Sequence, residues 1–243
     1  MSVNILILAS SIEAVDKQGT QYCPCLAEIS GVSVLEKVIS NTNNVNKKTF
    51  TLTGLDSDLK SFKLDHIISI LLPESHLVST MTRTAGSLCT ALLAASKLNQ
   101  DDELLIVSMN ELVDLDYSVV LENFRDNSYD GGVITFDSIH PRYSFARLEE
   151  SVVTEISQHE PISRNATTGS FWFQSTRDFV EGAKNLILKG VQSEGSFYIA
   201  PVYNELILAR KLVGAFEIDK RKYFPLKYEV QLNDFSRAVA HGI

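Results

Sequence analysis

The chain has 243 residues, of which 44% are hydrophobic and 21% charged, and its net charge at pH 7 is −8. That length is enough for a large buried core. The acidic balance argues against a nucleic-acid partner, because neutralising phosphates needs a basic face. The longest apolar run lies around Ile67–Leu72 and is far shorter than the roughly 20 residues that span a bilayer. We therefore expect no membrane partner either.

The first apolar segment, Val3–Ala9, has no basic residue before it, so we predict a buried strand and not a signal peptide. The three cysteines are Cys23, Cys25 and Cys89. Their small, odd number indicates free thiols in a reducing compartment, and we predict a cytoplasmic protein. Cys23 and Cys25 form a C-x-C pair, but no further cysteine or histidine lies nearby, so the pair predicts a poor metal site.

Apolar runs of strand length alternate with helical patterns in the first part of the chain, as is typical of βαβ units. The predicted strands are Val3–Ala9, Thr49–Thr53, His66–Leu72, Glu103–Ser108 and Gly131–Phe136. The predicted helices are Ser33–Asn44, Gly86–Asn99 and Tyr117–Asn127.

The pattern changes after Phe136, where short alternating segments are separated by acidic turn residues. The predicted elements are a hairpin of Tyr143–Leu148 and Val152–Ser157, a strand at Ala166–Phe173, helices at Ser175–Leu188 and Ala200–Arg210, a strand at Leu212–Ile218 and an amphipathic segment at Glu229–Ala240. No linker composition divides the chain. We expect one domain over residues 1–243, with halves of about 1–136 and 137–243, and ligands beyond the carboxyl ends of the strands.

Several segments, taken in chain order, resemble those of the sugar-phosphate nucleotidyltransferases, and most of all the bacterial branch tied to capsule and surface-polysaccharide synthesis. They are Asn4–Ala9, Leu26–Gly31, Thr84–Leu92, Leu104–Asp114, Gly131–Phe136, Val153–Ser157, Ile162–Ser163, Ala166–Phe173 and Tyr198–Asn204. The resemblance implies an α/β fold with a mostly parallel mixed sheet flanked by helices, of the nucleotide-diphospho-sugar transferase (glycosyltransferase-A-like) type.

The resemblance also implies a reaction and a site. In that family a sugar phosphate, or a similar phosphorylated compound, attacks the α-phosphorus of a nucleoside triphosphate, and pyrophosphate leaves. Mg²⁺ with Arg or Lys offsets the developing charge. The candidate nucleotide-binding residues are Ser10, Ser11, Lys17, Gly86, Ser87, Thr90 and Asn110, and the candidate substrate-binding residues are Arg142, Gln158, Gly169 and Asn204. Of these, Lys17 is chosen for its place near the first loop and Arg142 for its place after a predicted strand end. Ser10, Gly86, Asn110 and Gly169 are expected to line one cleft.

The charged residues of that family are replaced here. By spacing, its loop arginine falls at Ala14, its lysine at Pro24 and its metal-binding aspartate at Asn110, while a glutamate-lysine pair falls at Gln158-His159. Removing one charge-stabilising donor costs about 10²- to 10³-fold in rate, so three losses would cost about 10⁶-fold. Lys17 is the candidate to replace a missing cation.

Two segments also have structural interpretations. Gly86, Ser87 and Thr90 fit a nucleotide pocket, or else a helix start for which Thr84 is a good N-cap. Asp114-Leu115-Asp116 matches the D-x-D of metal-dependent glycosyltransferases, but it precedes the predicted helix at Tyr117, which favours an acidic helix start.

Two further residues, Arg142 and Trp172, also have structural interpretations. Arg142, in His140-Pro141-Arg142-Tyr143, fits a phosphate contact or a polar turn set by the proline. Trp172, between two phenylalanines, is predicted to pack in the core.

Two functions follow from these observations. The first is a catalytically impaired relative that binds a nucleotide, a sugar phosphate or a protein partner, including a second copy of itself. The alternative is an active nucleotidyltransferase with an altered catalytic set, which would need Mg²⁺.

Overall fold

The computed structural model describes residues 2–9, 14–15, 21–29 and 31–226. The strands are β1 (Val3–Ala9), β2 (Ala14–Val15), β3 (Gln21–Tyr22), β4 (Glu28–Ile29), β5 (Val32–Ser33), β6 (Lys48–Leu55), β7 (His76–Thr80), β8 (Glu103–Ser108), β9 (Glu111–Val113), β10 (Gly131–Asp137), β11 (Ser144–Glu149), β12 (Val152–Gln158), β13 (Asn165–Phe173), β14 (Val213–Glu217) and β15 (Tyr223–Pro225).

The α-helices are α1 (Val34–Ser40), α2 (Asp56–Ser61), α3 (Leu64–Leu71), α4 (Ser87–Leu93), α5 (Tyr117–Asp126), α6 (Thr176–Leu188) and α7 (Val202–Leu208). Short 3₁₀-helices lie at Pro24–Leu26, Ala94–Lys97 and Lys220–Lys222. In the described part of the chain, no helix is long and apolar enough to cross a membrane.

Nine of the described strands form one mixed sheet. Its first part is parallel, in the order β7-β6-β1-β8. β13 then pairs antiparallel with β8 on one side, and it also pairs antiparallel with β10 and β11. β12 pairs antiparallel with β11 and β14, and β14 lies parallel to β10. The α/β fold with a mixed sheet and flanking helices is as predicted.

Both faces of β1 and β8 are covered, which explains the apolar runs 5–9 in β1 and 104–107 in β8. Successive side chains on a strand point to opposite faces. In β8, Leu105 and Val107 pack in one apolar cluster with α1, α3 and α5, whereas Leu104 and Ile106 pack in the other with α4, α6 and α7.

Trp172 is part of the core, as predicted. Its side chain is buried in β13 and its ring stacks on Phe124 of α5 at a centroid distance of 5.3 Å. Its indole Nε1 donates to Glu103 Oε2 at 2.9 Å. The Glu103 carboxylate also accepts two hydrogen bonds from Arg125, each 2.9 Å long. The buried indole N–H therefore has a charged acceptor.

Most predicted elements are confirmed within a few residues, but the strand predicted at His66–Leu72 is wrong. This segment lies in helix α3, which buries Leu64 and Ile68 and leaves Ile70 exposed. An apolar run of this length fits either a strand or a helix. The buried residues here are spaced i, i+4, which is the spacing of one helix face. The neighbouring strand is β7, which was not predicted. Glu229–Ala240 lies outside the described residues.

The start of α4 differs from the predicted cap. Gly86 occupies the N-cap position with φ +129°, and Thr84 Oγ1 instead donates to the Gly86 carbonyl at 2.9 Å. A Cβ on Gly86 would also lie 2.3 Å from the carbonyl oxygen of Phe197. Only glycine suits both the dihedral angle and this close backbone contact.

We predict that Gly86→Ala lowers the free energy of unfolding by about 2–4 kcal/mol, from backbone strain and steric overlap together. Gly190→Ala is the matched control, since Gly190 also has a positive φ, +67°, but open space at its Cβ. Its cost should be limited to about 1–2 kcal/mol of strain. Urea unfolding of the two variants measures the difference, and equal losses would show that the Phe197 contact relaxes.

Candidate functional site

A cavity of about 370 Å³ opens at the carboxyl ends of the parallel strands. Leu8 near the end of β1 and Ser108 at the end of β8 form its floor, and Gly169 of β13 and Gln158 at the end of β12 line its side. In open α/β sheets, this edge is where ligands bind.

The structure brings five of the predicted site residues together in this cavity. They are Ser87, Asn110, Arg142, Gln158 and Gly169. Gly86 and Thr90 line a separate cavity of about 230 Å³. Of the described residues that were expected to share one cleft, Asn110 and Gly169 line the same cavity and Gly86 does not. Ser10, Ser11 and Lys17 lie outside the described residues.

Asn204 connects two elements of the fold. Its side-chain amide donates to the carbonyl oxygen of Ile156 at 2.7 Å, and its Oδ1 accepts from the Ile156 N–H at 2.8 Å. The side chain thereby joins α7 to the backbone of β12. Asn204 does not line either cavity, so the structure gives it no contact with the other predicted residues.

The backbone of Asn110 is fixed directly after β8. Its N–H donates to Ser108 Oγ at 3.2 Å, and its carbonyl accepts from the Leu226 N–H at 2.9 Å. The residue at the position of the implied metal-binding aspartate is thus held at the cavity, where it presents a neutral amide.

Glu111 is a cavity-lining residue that the sequence did not predict. Its Oε2 accepts from the Tyr223 hydroxyl at 2.8 Å, and its Oε1 accepts from the Gly169 N–H. Burial raises the pKa of this carboxyl to about 7, although both hydrogen bonds and the charge of Arg142 oppose the rise. A Cβ on Gly169 would lie 2.8 Å from Glu111 Oε1, so the glycine makes room for the carboxyl.

Aromatic side chains line the wall beside Glu111. Tyr223 stacks on Phe136 at a centroid distance of 4.3 Å, and Tyr143 meets Phe136 edge-on at 5.0 Å. The guanidinium carbon of Arg142 lies 4.6 Å from the centre of the Tyr143 ring, and the guanidinium donates to the Tyr143 hydroxyl. This wall places a cation next to a hydroxyl-rich cavity.

The end of β12 builds the part of the cavity next to this wall, since the His159 N–H donates to the Tyr143 carbonyl at 3.0 Å. Gln158 Oε1 accepts from Ser144 Oγ at 2.5 Å. The His159 ring meets the ring of Tyr198 at 5.1 Å, and its Nδ1 lies 3.2 Å from Ser193 Oγ and 3.7 Å from a carboxylate oxygen of Glu194. This part of the cavity has the side chains of Gln158 and His159 where the resemblance implied a glutamate-lysine pair.

The described residues do not fit a magnesium site. Mg²⁺ binds one or two carboxylates together with substrate phosphates. The carboxylate that lines the cavity is Glu111, and both of its oxygens already accept hydrogen bonds inside the protein. No group of three or more His, Cys, Asp or Glu side chains in the described ranges is arranged to hold a metal ion.

The D-x-D segment is a helix start, as the sequence favoured. Asp116 is the N-cap of α5, where its side chain accepts from the Ser118 N–H at 2.9 Å and from Asn44 Nδ2 at 2.6 Å. Asp114 lies 3.6 Å from Lys37 Nζ. These contacts account for both carboxylates.

The residue at the position of the implied lysine, Pro24, also has a structural role. Pro24 is buried at the start of a 3₁₀-helix between Cys23 and Cys25, both of which are free and buried. A lysine there would have to bury its charge, which is costly without a partner.

The sequence matches no family model and no curated protein. Its fold, however, matches solved structures along almost the whole chain. A nucleoside-diphosphate-sugar pyrophosphorylase from Vibrio cholerae superposes with a TM-score of 0.74 at 19% identity, covering 96% of this chain and 99% of the other. The CMP:2-keto-3-deoxy-manno-octonic acid synthetase in complex with CTP gives 0.70 at 13% identity, covering both chains fully.

An inositol-1-phosphate CTP transferase from T. maritima gives a TM-score of 0.71 at 13% identity, covering 99% of this chain and 97% of the other. This chain has the nucleotide-diphospho-sugar transferase fold. In this nucleotidyltransferase-like fold the cavity occupies the strand edge at which the sequence resemblance implied a site.

Glu111 makes the stability of this fold depend on pH in a defined direction. Its folded-state pKa, about 7, lies above the ordinary 4.5, so the folded state keeps a proton that the unfolded state has lost between these values. The contribution is fully present below pH 4.5 and disappears as the pH rises through 7. Between pH 5 and 8 it amounts to roughly 2–3 kcal/mol.

We predict that Glu111→Gln removes this dependence, because glutamine is neutral and retains an oxygen acceptor for the Gly169 N–H. The measurement is urea unfolding of both proteins between pH 5 and 8. Glu122→Gln, an exposed change on α5, is the control and should follow the wild type. Parallel pH curves for wild type and Glu111→Gln would contradict the assignment.

Proposed function

We propose that this chain is a cytoplasmic, nucleotidyltransferase-like protein of nucleotide-sugar and surface-polysaccharide metabolism. It binds a phosphorylated sugar, or a similar phosphorylated compound, in the 370 Å³ cavity and does not transfer a nucleotidyl group. The observation that supports this proposal is which residues occupy the expected metal-binding position and what they bind. Asn110 replaces the expected aspartate, and Glu111 beside it is engaged by Tyr223 and Gly169.

The charges of the cavity favour a single phosphate group. Among the described residues that line the cavity, Arg142 is the only arginine or lysine. Its side chain is exposed and lies beside Tyr143. One guanidinium suits one phosphate, whose oxygens it can bind in a bidentate manner. A triphosphate carries about four charges and normally needs Mg²⁺ with several cations.

The neutral groups favour a hydroxyl-rich ligand. The lining includes the hydroxyls of Ser87, Ser108 and Thr168 and the amides of Asn110 and Gln158. These groups both donate and accept hydrogen bonds, which matches the hydroxyls of a sugar or polyol. The ring of Tyr198 adds an apolar surface. The alternative, an active nucleotidyltransferase, would require cations from residues outside the described ranges, such as Lys17.

We predict that Mg²⁺-triphosphates bind weakly. A Kd no tighter than about 1 mM would stabilise the fold by no more than roughly 0.4 kcal/mol at 1 mM ligand. Thermal shifts with CTP, UTP and dTTP, with and without Mg²⁺, measure this, and glucose 1-phosphate should raise the melting temperature more and independently of Mg²⁺. A clear Mg²⁺-dependent rise with a triphosphate would favour the active alternative and point to Lys17.

We also predict that Asn110→Asp alone releases no pyrophosphate from common triphosphates and sugar 1-phosphates. The change restores one carboxylate, but the cation positions at Ala14 and Pro24 stay empty, and each such group contributes several kcal/mol to the transition state. A coupled pyrophosphate assay is the measurement, with the unmodified protein as the control. Turnover by the variant would show that the cations lie elsewhere, and turnover by the unmodified protein would refute the impaired assignment.

A further inference from the structure

The nine-stranded sheet has a single open edge within the described part of the chain. At one end, β10 pairs with both β14 and β13, so the strands β10, β14, β12, β11 and β13 close into a ring. At the other end, β7 pairs with β6 alone. An edge strand directs every second N–H and C=O group away from its neighbour. In β7 these outward groups have no backbone partner among the described residues.

β7 lacks the features that keep natural edge strands from pairing with other chains. Such strands usually carry charged side chains, a proline or a β-bulge. The five residues of β7, His76–Thr80, include no proline and no aspartate, glutamate, lysine or arginine, and their pairing with β6 has no bulge. Leu77 is 46% exposed, and Met81, directly after the strand, is 82% exposed. The edge is therefore a regular, uncharged and partly apolar strand that can accept another strand.

The residues that flank β7 carry opposite charges. Glu74 lies before the strand and Arg83 after it, and both are exposed. Neither forms an ion pair with another described residue. When two strands pair antiparallel, the amino-terminal flank of one lies beside the carboxyl-terminal flank of the other. Two antiparallel copies of β7 therefore bring Glu74 of each copy towards Arg83 of the other.

The side chains of β7 also fit this pairing. With Val78 opposite its own copy, His76 lies opposite Thr80, and Leu77 then lies opposite Ser79. No like charges face each other in this register. A strand that pairs antiparallel with its own copy is related to it by a two-fold axis, which is the symmetry of most protein dimers. Because each described sheet of nine strands offers one open edge, the assembly closes at two copies.

We infer that β7 is the interface of a homodimer, in which the strand pairs antiparallel with its own copy and continues the sheet across a two-fold axis. Five-residue strands make a small interface, so we expect a weak, concentration-dependent dimer with a Kd of about 10–100 μM. The net charge of −8 on each copy also opposes association. No residue of β7 lines the 370 Å³ cavity, so association through this edge is independent of what that cavity binds.

Sedimentation velocity measures the association at concentrations between about one tenth of the expected Kd and ten times that value. Leu77→Lys places a charge in the pairing strand and should weaken dimerisation by about ten-fold or more. Val119→Lys is the matched control, because Val119 is 54% exposed on α5, the helix that stacks on Trp172 of β13. This control adds the same charge, leaves the edge unchanged and should associate as the wild type does. Urea unfolding of both variants should match the wild type, since both side chains are already exposed.

An exchange of charges tests the antiparallel arrangement. Glu74→Arg and Arg83→Glu each create like-charge pairs between the copies, and each should weaken dimerisation by about three- to ten-fold. The double variant restores the opposite pairs and should associate as the wild type does. The two positions lie at opposite ends of β7 in one chain, so this recovery requires contact between copies. An effect of net charge alone would strengthen the association of Glu74→Arg, so the two explanations differ in sign.

A cysteine at the two-fold axis gives an independent measurement. Val78→Cys places two thiols opposite each other in the dimer, and glutathione disulfide should oxidise them to an intermolecular disulfide, with release of two reduced glutathiones. Non-reducing electrophoresis detects the covalent dimer. Val119→Cys should not form it, and the wild type gives the background of Cys23, Cys25 and Cys89.

Three outcomes would overturn the inference. A wild type that stays monomeric at the highest concentration would leave the edge to a strand of another protein. Association that Leu77→Lys does not weaken would place the dimer interface elsewhere. Single charge variants whose association the double variant does not restore would show that the two strands are not antiparallel.

Discussion

The pairing of β8 with two different neighbours is the constraint on which the cavity depends. On one side β8 is parallel to β1, so that both strands end at the same edge of the sheet. On the other side it is antiparallel to β13, which runs back past that edge and brings Gly169 beside Ser108. The floor and one wall of the cavity therefore come from a single strand junction, and apolar clusters pack on both faces of the sheet beside it.

The electrostatics of this junction support the proposal that the chain does not transfer a nucleotidyl group. The expected aspartate position is occupied by Asn110, and the carboxylate at the cavity is that of the next residue, Glu111. Glu111 accepts hydrogen bonds from Gly169 and Tyr223, which helps join β9 to β13 and β15. A buried carboxyl of this kind contributes to the structure and is costly to ionise, whereas a metal ligand must be ionised and reachable.

The sequence predicted the fold better than the site. β1 is predicted to the residue because both of its faces are buried, and β13 nearly so. α3 was missed because a short apolar run has no decisive period. Gln158 and Asn110 were predicted by resemblance, and Arg142 by its position after a predicted strand end. Glu111 and Tyr223 were not, since 112 positions separate them and no local pattern predicts their hydrogen bond.

Trp172 has a practical consequence, since the chain contains a single tryptophan. The indole is buried in β13, stacked on Phe124 and hydrogen-bonded to Glu103 at the start of β8. Gly169, at the cavity, lies three residues earlier on the same strand. The tryptophan fluorescence of this protein, excited selectively at a wavelength that tyrosine does not absorb, is thus the signal of one site in the strand junction, and it reports the packing of β8 against β13 without any added label.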